Sequence, residues 1–189
     1  LTPLIGMGLA GLASFEPAYA DELAAILLWG FSHMQAEDGG SVYLRLSTRS
    51  IHQPKRDFAA IENDVLAGAY WRVEPAQGAP LAIVTCGAVT PEALSAHAQI
   101  LDDVPGAGLL AVTSPDRLHA GWRASLAGQR CHADRLLARM APDAALVTVI
   151  DGSPSTLSWL GGVAGHRVYA LGVDRFGQSG DIDDLYQIG

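Results

Sequence analysis

The chain has 189 residues, a length suited to one domain or two small ones. Apolar residues make up 49% of it and charged residues 17%, which supports a sizeable buried core and excludes a mostly disordered chain. Twelve basic against twenty acidic residues leave a net charge of −8, and no basic run exceeds Lys55-Arg56, which argues against nucleic acid and anionic membrane surfaces as partners.

Residues 1–15 are apolar and interrupted by glycines, with no positively charged start, so they do not read as a secretory signal. The chain begins at Leu1 rather than Met and reads as a fragment. Gly6, Gly8 and Gly11 match GxGxxG in form, but no strand precedes them to present the glycines to a pyrophosphate. Residues 17–35 predict a helix, with Pro17 in its first turn, Asp21 and Glu22 near its positive end, and an apolar face of Leu23, Ile26, Leu27, Gly30, Phe31 and Met34. After Asp38-Gly39-Gly40, the β-branched and aromatic residues of 41–47 predict a strand, and Pro54 with three basic residues marks 48–57 as a loop. A strand follows at 69–74.

Residues 75–80, Pro-Ala-Gln-Gly-Ala-Pro, are the strongest candidate boundary. Beyond them apolar runs at 81–86, 108–113, 144–150 and 168–171 alternate with helical segments. Three of these runs lead into Ser/Thr-Pro, at Thr90-Pro91, Ser114-Pro115 and Ser153-Pro154, a pattern of cap followed by first-turn proline. Continuous apolar strands alternating with helices predict a parallel sheet covered by helices on both faces, an α/β fold.

Familiar catalytic signatures are missing from the sequence: no GxxxxGK[ST], HExxH or GxSxG, and no zinc-type spacing. Cys86 and Cys131 form no CxxC, so a reducing cytoplasm is the expected location. Among the six histidines, His33 is placed at a helix C-terminus, His97 and His119 on helix surfaces, and His132 and His166 at element ends. His52 stands apart, in a loop directly after a strand and beside Arg49. The polar turn at 174–181 reads as structural, and Asp181, Asp183 and Asp184 read as the acidic first turn of a last helix.

Phe15-Glu16-Pro17-Ala18-Tyr19-Ala20-Asp21-Glu22-Leu23 resembles the Asp-Pro-x-x-Ala-x-Glu segment that opens a helix in the middle domain of homodimeric pyruvate dehydrogenase, in its decarboxylating, thiamine-diphosphate-dependent component. Residues 83–89 and 110–118 resemble the first two strand–helix units of that enzyme's C-terminal domain. Residues 172–179 are similar to its Gly-x-Asp-x-Phe-Gly-x-Ser turn, which transketolases share in part. The resemblance implies that residues 1–74 are the C-terminal portion of a pyrimidine-binding domain, 75–80 a linker and 81–189 a transketolase-type C-terminal domain. It places most of the thiamine diphosphate and Mg2+ site in regions outside this chain, so the chain alone is expected to be inactive.

The resemblance further implies a mechanism in which the cofactor's thiazolium carbon attacks a 2-oxo acid, carbon dioxide leaves and the acyl group passes to the lipoyl domain of a partner acyltransferase. His52 corresponds to a family histidine that faces the active-site channel, where it moves protons or orients the substrate carboxylate. The loop here reads Ser47-Thr48-Arg49-Ser50-Ile51 where the family carries Asn-Glu-x-Tyr. Pyruvate and 2-oxobutyrate therefore both stand as substrates. Arg49, a candidate for binding a carboxylate or a sugar phosphate, keeps transketolase open as an alternative. A non-catalytic α/β interaction module is a third reading, because fold alone does not imply function. A homodimer is expected.

Overall fold

The computed structural model describes residues 2–128 and 130–173. The turn expected at 174–181 and the helix expected after it, with Asp181, Asp183 and Asp184, lie outside the described residues.

The first elements are α1 (Thr2–Gly8), β1 (Leu12–Phe15), α2 (Ala20–Gln35) and β2 (Ser41–Leu44). β1 and β2 form a two-stranded parallel sheet in which Leu12 pairs with Ser41 and Phe15 with Leu44. The segment before Phe15 is therefore structured. Gly6 and Gly8 sit inside a helix that precedes the strand, the reverse of the strand–loop–helix order of a dinucleotide fingerprint. α2 starts at Ala20, so Pro17 lies outside it. The Glu22 carboxylate fixes that start by accepting from the backbone N–H groups of Ala18 at 2.8 Å and Tyr19 at 3.1 Å.

Only part of the apolar face expected on α2 is covered. Ala25, Ile26 and Gly30 are buried, whereas Leu27, Leu28, Phe31 and Met34 are exposed. His33, in its last turn, stacks on Trp29, and its Nε2 accepts from Gly40 N–H at 3.2 Å.

The second sheet has five strands in the order β3 (Ala69–Val73), β5 (Gly108–Val112), β4 (Ala79–Cys86), β6 (Met140–Ile150) and β7 (Arg167–Leu171). β5, β4, β6 and β7 run parallel, and β3 pairs antiparallel with β5 at the edge. β3 precedes residues 75–80 and yet belongs to this sheet, and β4 already begins at Ala79, so residues 75–78 connect two strands of one sheet. α3 (Glu62–Ala67) leads into β3.

Helices cover both faces of the second sheet. Ile83 and Leu109 pack on α4 (Thr90–Ile100) through Ala93, with Leu94 and Ile100 alongside. The alternate positions Ala82, Val84, Cys86, Leu110, Val112 and Leu146 face the other way. There they meet α5 (Pro115–Ser125), α6 (His132–Leu137) and the single-turn helices α7 (Ser155–Ser158) and α8 (Gly161–Ala164). This alternation within unbroken apolar runs marks strands buried on both sides.

One of the three expected caps forms as predicted: Ser114 accepts from Arg117 N–H, with Pro115 opening the helix. Thr90 and Ser153 do not cap. The chain enters α4 through a 3-10 turn (Gly87–Val89), so Thr90 is already helical and its hydroxyl donates to the Gly87 carbonyl at 2.7 Å. At α7, Pro154 is itself in helical geometry and Ser153 contributes only its carbonyl.

The two sheets are docked through α5. Ser14 N–H donates to the Asp116 carboxylate at 3.0 Å, the Ser114 hydroxyl to the Ser14 carbonyl at 2.5 Å, and Glu16 N–H to the Thr113 carbonyl at 2.7 Å. A shared core of Phe15, Ile26, Val65, Tyr70 and Ala111 backs these bonds.

Two histidines expected at surfaces or element ends are buried. The Nε2 of His97 is 2.8 Å from the Ala107 carbonyl. His166, 6% exposed, has no hydrogen-bond partner at either ring nitrogen. Burial holds the His166 imidazole below its ordinary range. Its unfolded form takes a proton below about pH 6.5 while its folded form stays neutral, so stability is lost as pH falls through that region. His166→Leu removes two unsatisfied polar atoms and should raise stability by about 1 kcal/mol. Denaturant titrations should show the gain widening from pH 7 to pH 5.

Candidate functional site

Four strand ends converge on one cleft. Glu16 follows β1, Arg45 follows β2, Gly87 and Ala88 follow β4, and Asp151 follows β6. The strand order of the second sheet makes this convergence meaningful. From β4 the chain passes to β5 on one side and then crosses to β6 on the other, so β4 and β6 flank a topological switch point. Ligands of open α/β sheets bind outside the carboxyl ends of the strands at such points. The cleft measures about 250 Å3, and Ser47 and Thr48 add hydroxyls to its wall.

The chemistry of the cleft centres on Glu16, which is 5% exposed. Its Oε1 accepts from Arg45 Nη1, while its Oε2 has no hydrogen-bond partner. The second guanidinium nitrogen of Arg45 reaches Asp151 Oδ2 at 3.0 Å, so one arginine bridges the ends of two sheets. Burial pushes the Glu16 carboxyl up, Arg45 offsets only part of that, and the group settles at about 7. The buried thiol of Cys86 lies beside it and is itself pushed up by burial. Gly87 has φ +67°, and a Cβ there would lie 2.4 Å from Glu16 Oε1. The left-handed backbone and the absent side chain together make room for the carboxylate.

A second cleft of about 190 Å3 adjoins the first, sharing Pro17, Leu46 and Ser47, and extends along the start of α2 to the loop after β2. Arg49, Ile51 and Gln53 line it. His52 is exposed on the same loop, between two of those lining residues. Arg49 pairs with the Glu92 carboxylate through both terminal nitrogens and donates to the Ala88 carbonyl at 3.2 Å. Burial raises the Glu92 carboxyl, but the hydrogen bond from Arg49, a backbone N–H and the arginine's charge together outweigh it, leaving the group below the ordinary carboxylate range.

The loop is pinned to α2 from both sides of Lys55. Gln53 Oε1 accepts from Ala20 N–H at 2.8 Å. Arg56 forks onto Asp21 at 2.8 and 2.6 Å, reaches Glu22 Oε1 at 3.2 Å and donates to the Tyr70 hydroxyl at 2.6 Å. Its guanidinium also lies over the rings of Tyr19, Phe58 and Tyr70. These anchors hold the backbone that follows His52.

Of the two side chains that sequence reasoning singled out, Arg49 lines a cleft, whereas His52 is exposed on the same loop and is not among the residues lining it. Glu16, Arg45 and Asp151 escaped that reasoning. Each is a charged residue directly after a parallel strand, and that position is the signal that would have found them.

No protein-family profile matches the chain, and no curated protein does. Solved structures share its fold. A transketolase from Leishmania mexicana superposes with a TM-score of 0.65 at 15% identity, covering 98% of this chain and 24% of the transketolase. A transketolase from Campylobacter jejuni superposes with a TM-score of 0.65 at 16% identity, covering 98% and 25%. A split-gene transketolase, described as an inactive beta4 tetramer, gives 0.60 at 17% identity, covering 95% and 54%. The fold is thus transketolase-like, and the chain spans about a quarter of the length of the first two. Among the described residues, no helix is long and apolar enough to cross a membrane.

Proposed function

We propose that this chain is part of a thiamine-diphosphate-dependent enzyme that decarboxylates a 2-oxo acid and passes the acyl group to a lipoyl acceptor. The observation that carries the reading is a transketolase-like fold in which the loop after β2, anchored by Gln53 and Arg56, carries His52 exposed between two residues that line a cleft. The cofactor supplies the electron sink for loss of carbon dioxide. The proposal leaves most of the diphosphate and its magnesium to regions outside this chain.

What the chain offers is the proton-handling side of the reaction. An imidazole is the side chain best suited to give and take a proton at neutral pH, and His52 stands exposed on its loop to do so. A cytoplasmic homodimer working with a lipoyl-bearing acyltransferase belongs to the same proposal. The exposed Leu27, Leu28, Phe31 and Met34 of α2 offer apolar surface for self-association.

The test is the complete gene product with thiamine diphosphate, magnesium and pyruvate or 2-oxobutyrate. Carbon dioxide release is expected, and His52→Ala should lower turnover by about 10²–10⁴-fold. Absence of release from any 2-oxo acid rejects the reading. Transketolase is the second reading, favoured by the fold neighbours. It requires Arg49 to leave Glu92 for a sugar phosphate, and Arg49→Ala should then raise the KM for phosphorylated sugars.

A further inference from the structure

A histidine helps to close one edge of the second sheet. β3 ends that sheet, and α6 packs on it. The Trp71 indole N–H donates to the Leu136 carbonyl at 3.2 Å, and the Nε2 of His132, the first residue of α6, lies 2.6 Å from the Ala69 carbonyl. A bare edge strand would invite pairing with another chain, so these contacts have a structural use. The same ring has further company. Its Nδ1 lies 2.7 Å from Nη2 of Arg135, one turn along α6. A carbonyl only accepts and a guanidinium only donates, so the two neighbours fix the tautomer: Nε2 carries the proton and Nδ1 is a bare acceptor. Asp64 of α3 stands by, its Oδ1 3.9 Å from that Nδ1 and beyond hydrogen-bond reach.

We propose that His132 is a proton-operated switch that exchanges Arg135 for Asp64. With the ring neutral, Nδ1 holds the Arg135 guanidinium against α6. A proton at Nδ1 makes that atom a donor, and two cationic donors do not share a 2.7 Å contact. Arg135, at an exposed position, then turns into solvent, and the new N–H turns to the Asp64 carboxylate. The bond from Nε2 to Ala69 persists in both states and gains charge assistance in the second. The sheet edge therefore stays covered while α6 acquires an ionic tie to α3.

Among the described residues the charged groups facing the ring are Asp64 from α3 and Arg135 from α6 itself, and β3 contributes the uncharged Ala69 carbonyl. Burial, with the Arg135 charge, opposes the proton and outweighs the Ala69 carbonyl and Asp64, so the exchange takes place below the ordinary imidazole range. The switch involves neither cleft and is independent of the thiamine reading.

The experiment titrates the isotope-labelled 189-residue chain from pH 8 to pH 5. Proton–nitrogen NMR correlations follow the imidazoles and the arginine side chains, assigned through His132→Gln and Arg135→Lys. The Nε2-protonated ring is expected at pH 8, with an Arg135 signal that moves at the His132 midpoint as the guanidinium is released. Asp64→Asn should weaken proton binding at His132 by about fivefold, and Arg135→Ala should strengthen it by at least about the same factor, the size of a unit-charge contact at about 4 Å in water. Neither side chain is buried, so both variants keep the fold. An Nδ1-protonated ring at pH 8, an Arg135 signal that ignores the His132 titration, or a midpoint unmoved by either substitution overturns the proposal.

Discussion

Arg56→Met should cost about 3–5 kcal/mol of folding stability, the largest loss expected from any single side chain described above. The reason is the company Arg56 keeps. Glu22 is 1% exposed, and its Oε1 accepts from both Arg56 and the Tyr70 hydroxyl, the latter at 2.5 Å. Burial, with the Glu22 carboxylate beside it, pushes the Tyr70 hydroxyl far above its ordinary range, so Tyr70 donates and never ionises. Removing the guanidinium strands a carboxylate with one neutral donor and two backbone N–H groups, in a region closed to water. Methionine keeps an aliphatic stem of similar length, so the loss reports the guanidinium, its ion pairs together with its contacts over the three rings. Tyr70→Phe, which removes one donor and leaves the ion pairs, should cost about 1–2 kcal/mol. Urea unfolding of both variants checks the ranking; an Arg56→Met loss below that of Tyr70→Phe would show that the pairing contributes little. Under the proposed thiamine-diphosphate reading a second effect follows: with Arg56 gone the backbone after His52 loses its hold, and turnover of the complete gene product should fall.

Glu16→Gln should stabilise the chain increasingly as pH rises. The folded-state carboxyl titrates at about 7 against 4.5 for the ordinary group. Below pH 4.5 both states are protonated and the native state carries no ionisation cost. Between 4.5 and 7 the unfolded chain ionises first, so stability drains away as pH rises, and above 7 the full cost is present. The shift corresponds to about 3 kcal/mol. Glutamine cannot ionise, so the stability difference between variant and parent should grow by about that amount from pH 4 to pH 8. The lost contact with Arg45 adds a constant offset and leaves the slope unchanged. Guanidinium denaturation across that range measures it, and a flat difference would mean that the carboxyl is hydrated rather than buried.

Much of the second sheet could be read from residue order alone. The runs that became β4, β5, β6 and β7 are apolar but for the buried Thr85 and Thr148, and Ser114-Pro115 carries both its cap and its first turn. Sheet polarity was less visible. β3 is as apolar and aromatic as its neighbours, and nothing in Ala69–Val73 states that it runs against β5. Its connection through residues 75–80 looks like a boundary because prolines and glycine serve tight turns and linkers equally well. β1 was hidden by its four-residue length and glycine-rich approach. The His97 and His166 environments depend on packing between distant segments. His52 and Arg49 were visible because they stand in one short loop. Glu16, Arg45 and Asp151, spread over 136 positions of sequence, meet only once two sheets are docked.

The missing side chain at position 87 ties its evolution to that of position 16. A methyl group there would occupy the space of the Glu16 carboxylate, so alanine at 87 should be accepted only beside a shorter residue at 16. Homologues of this chain should therefore change the two positions as a pair, and those with a bulkier residue at 87 should have lost the acid at 16 and, with it, the purpose of the arginine at 45.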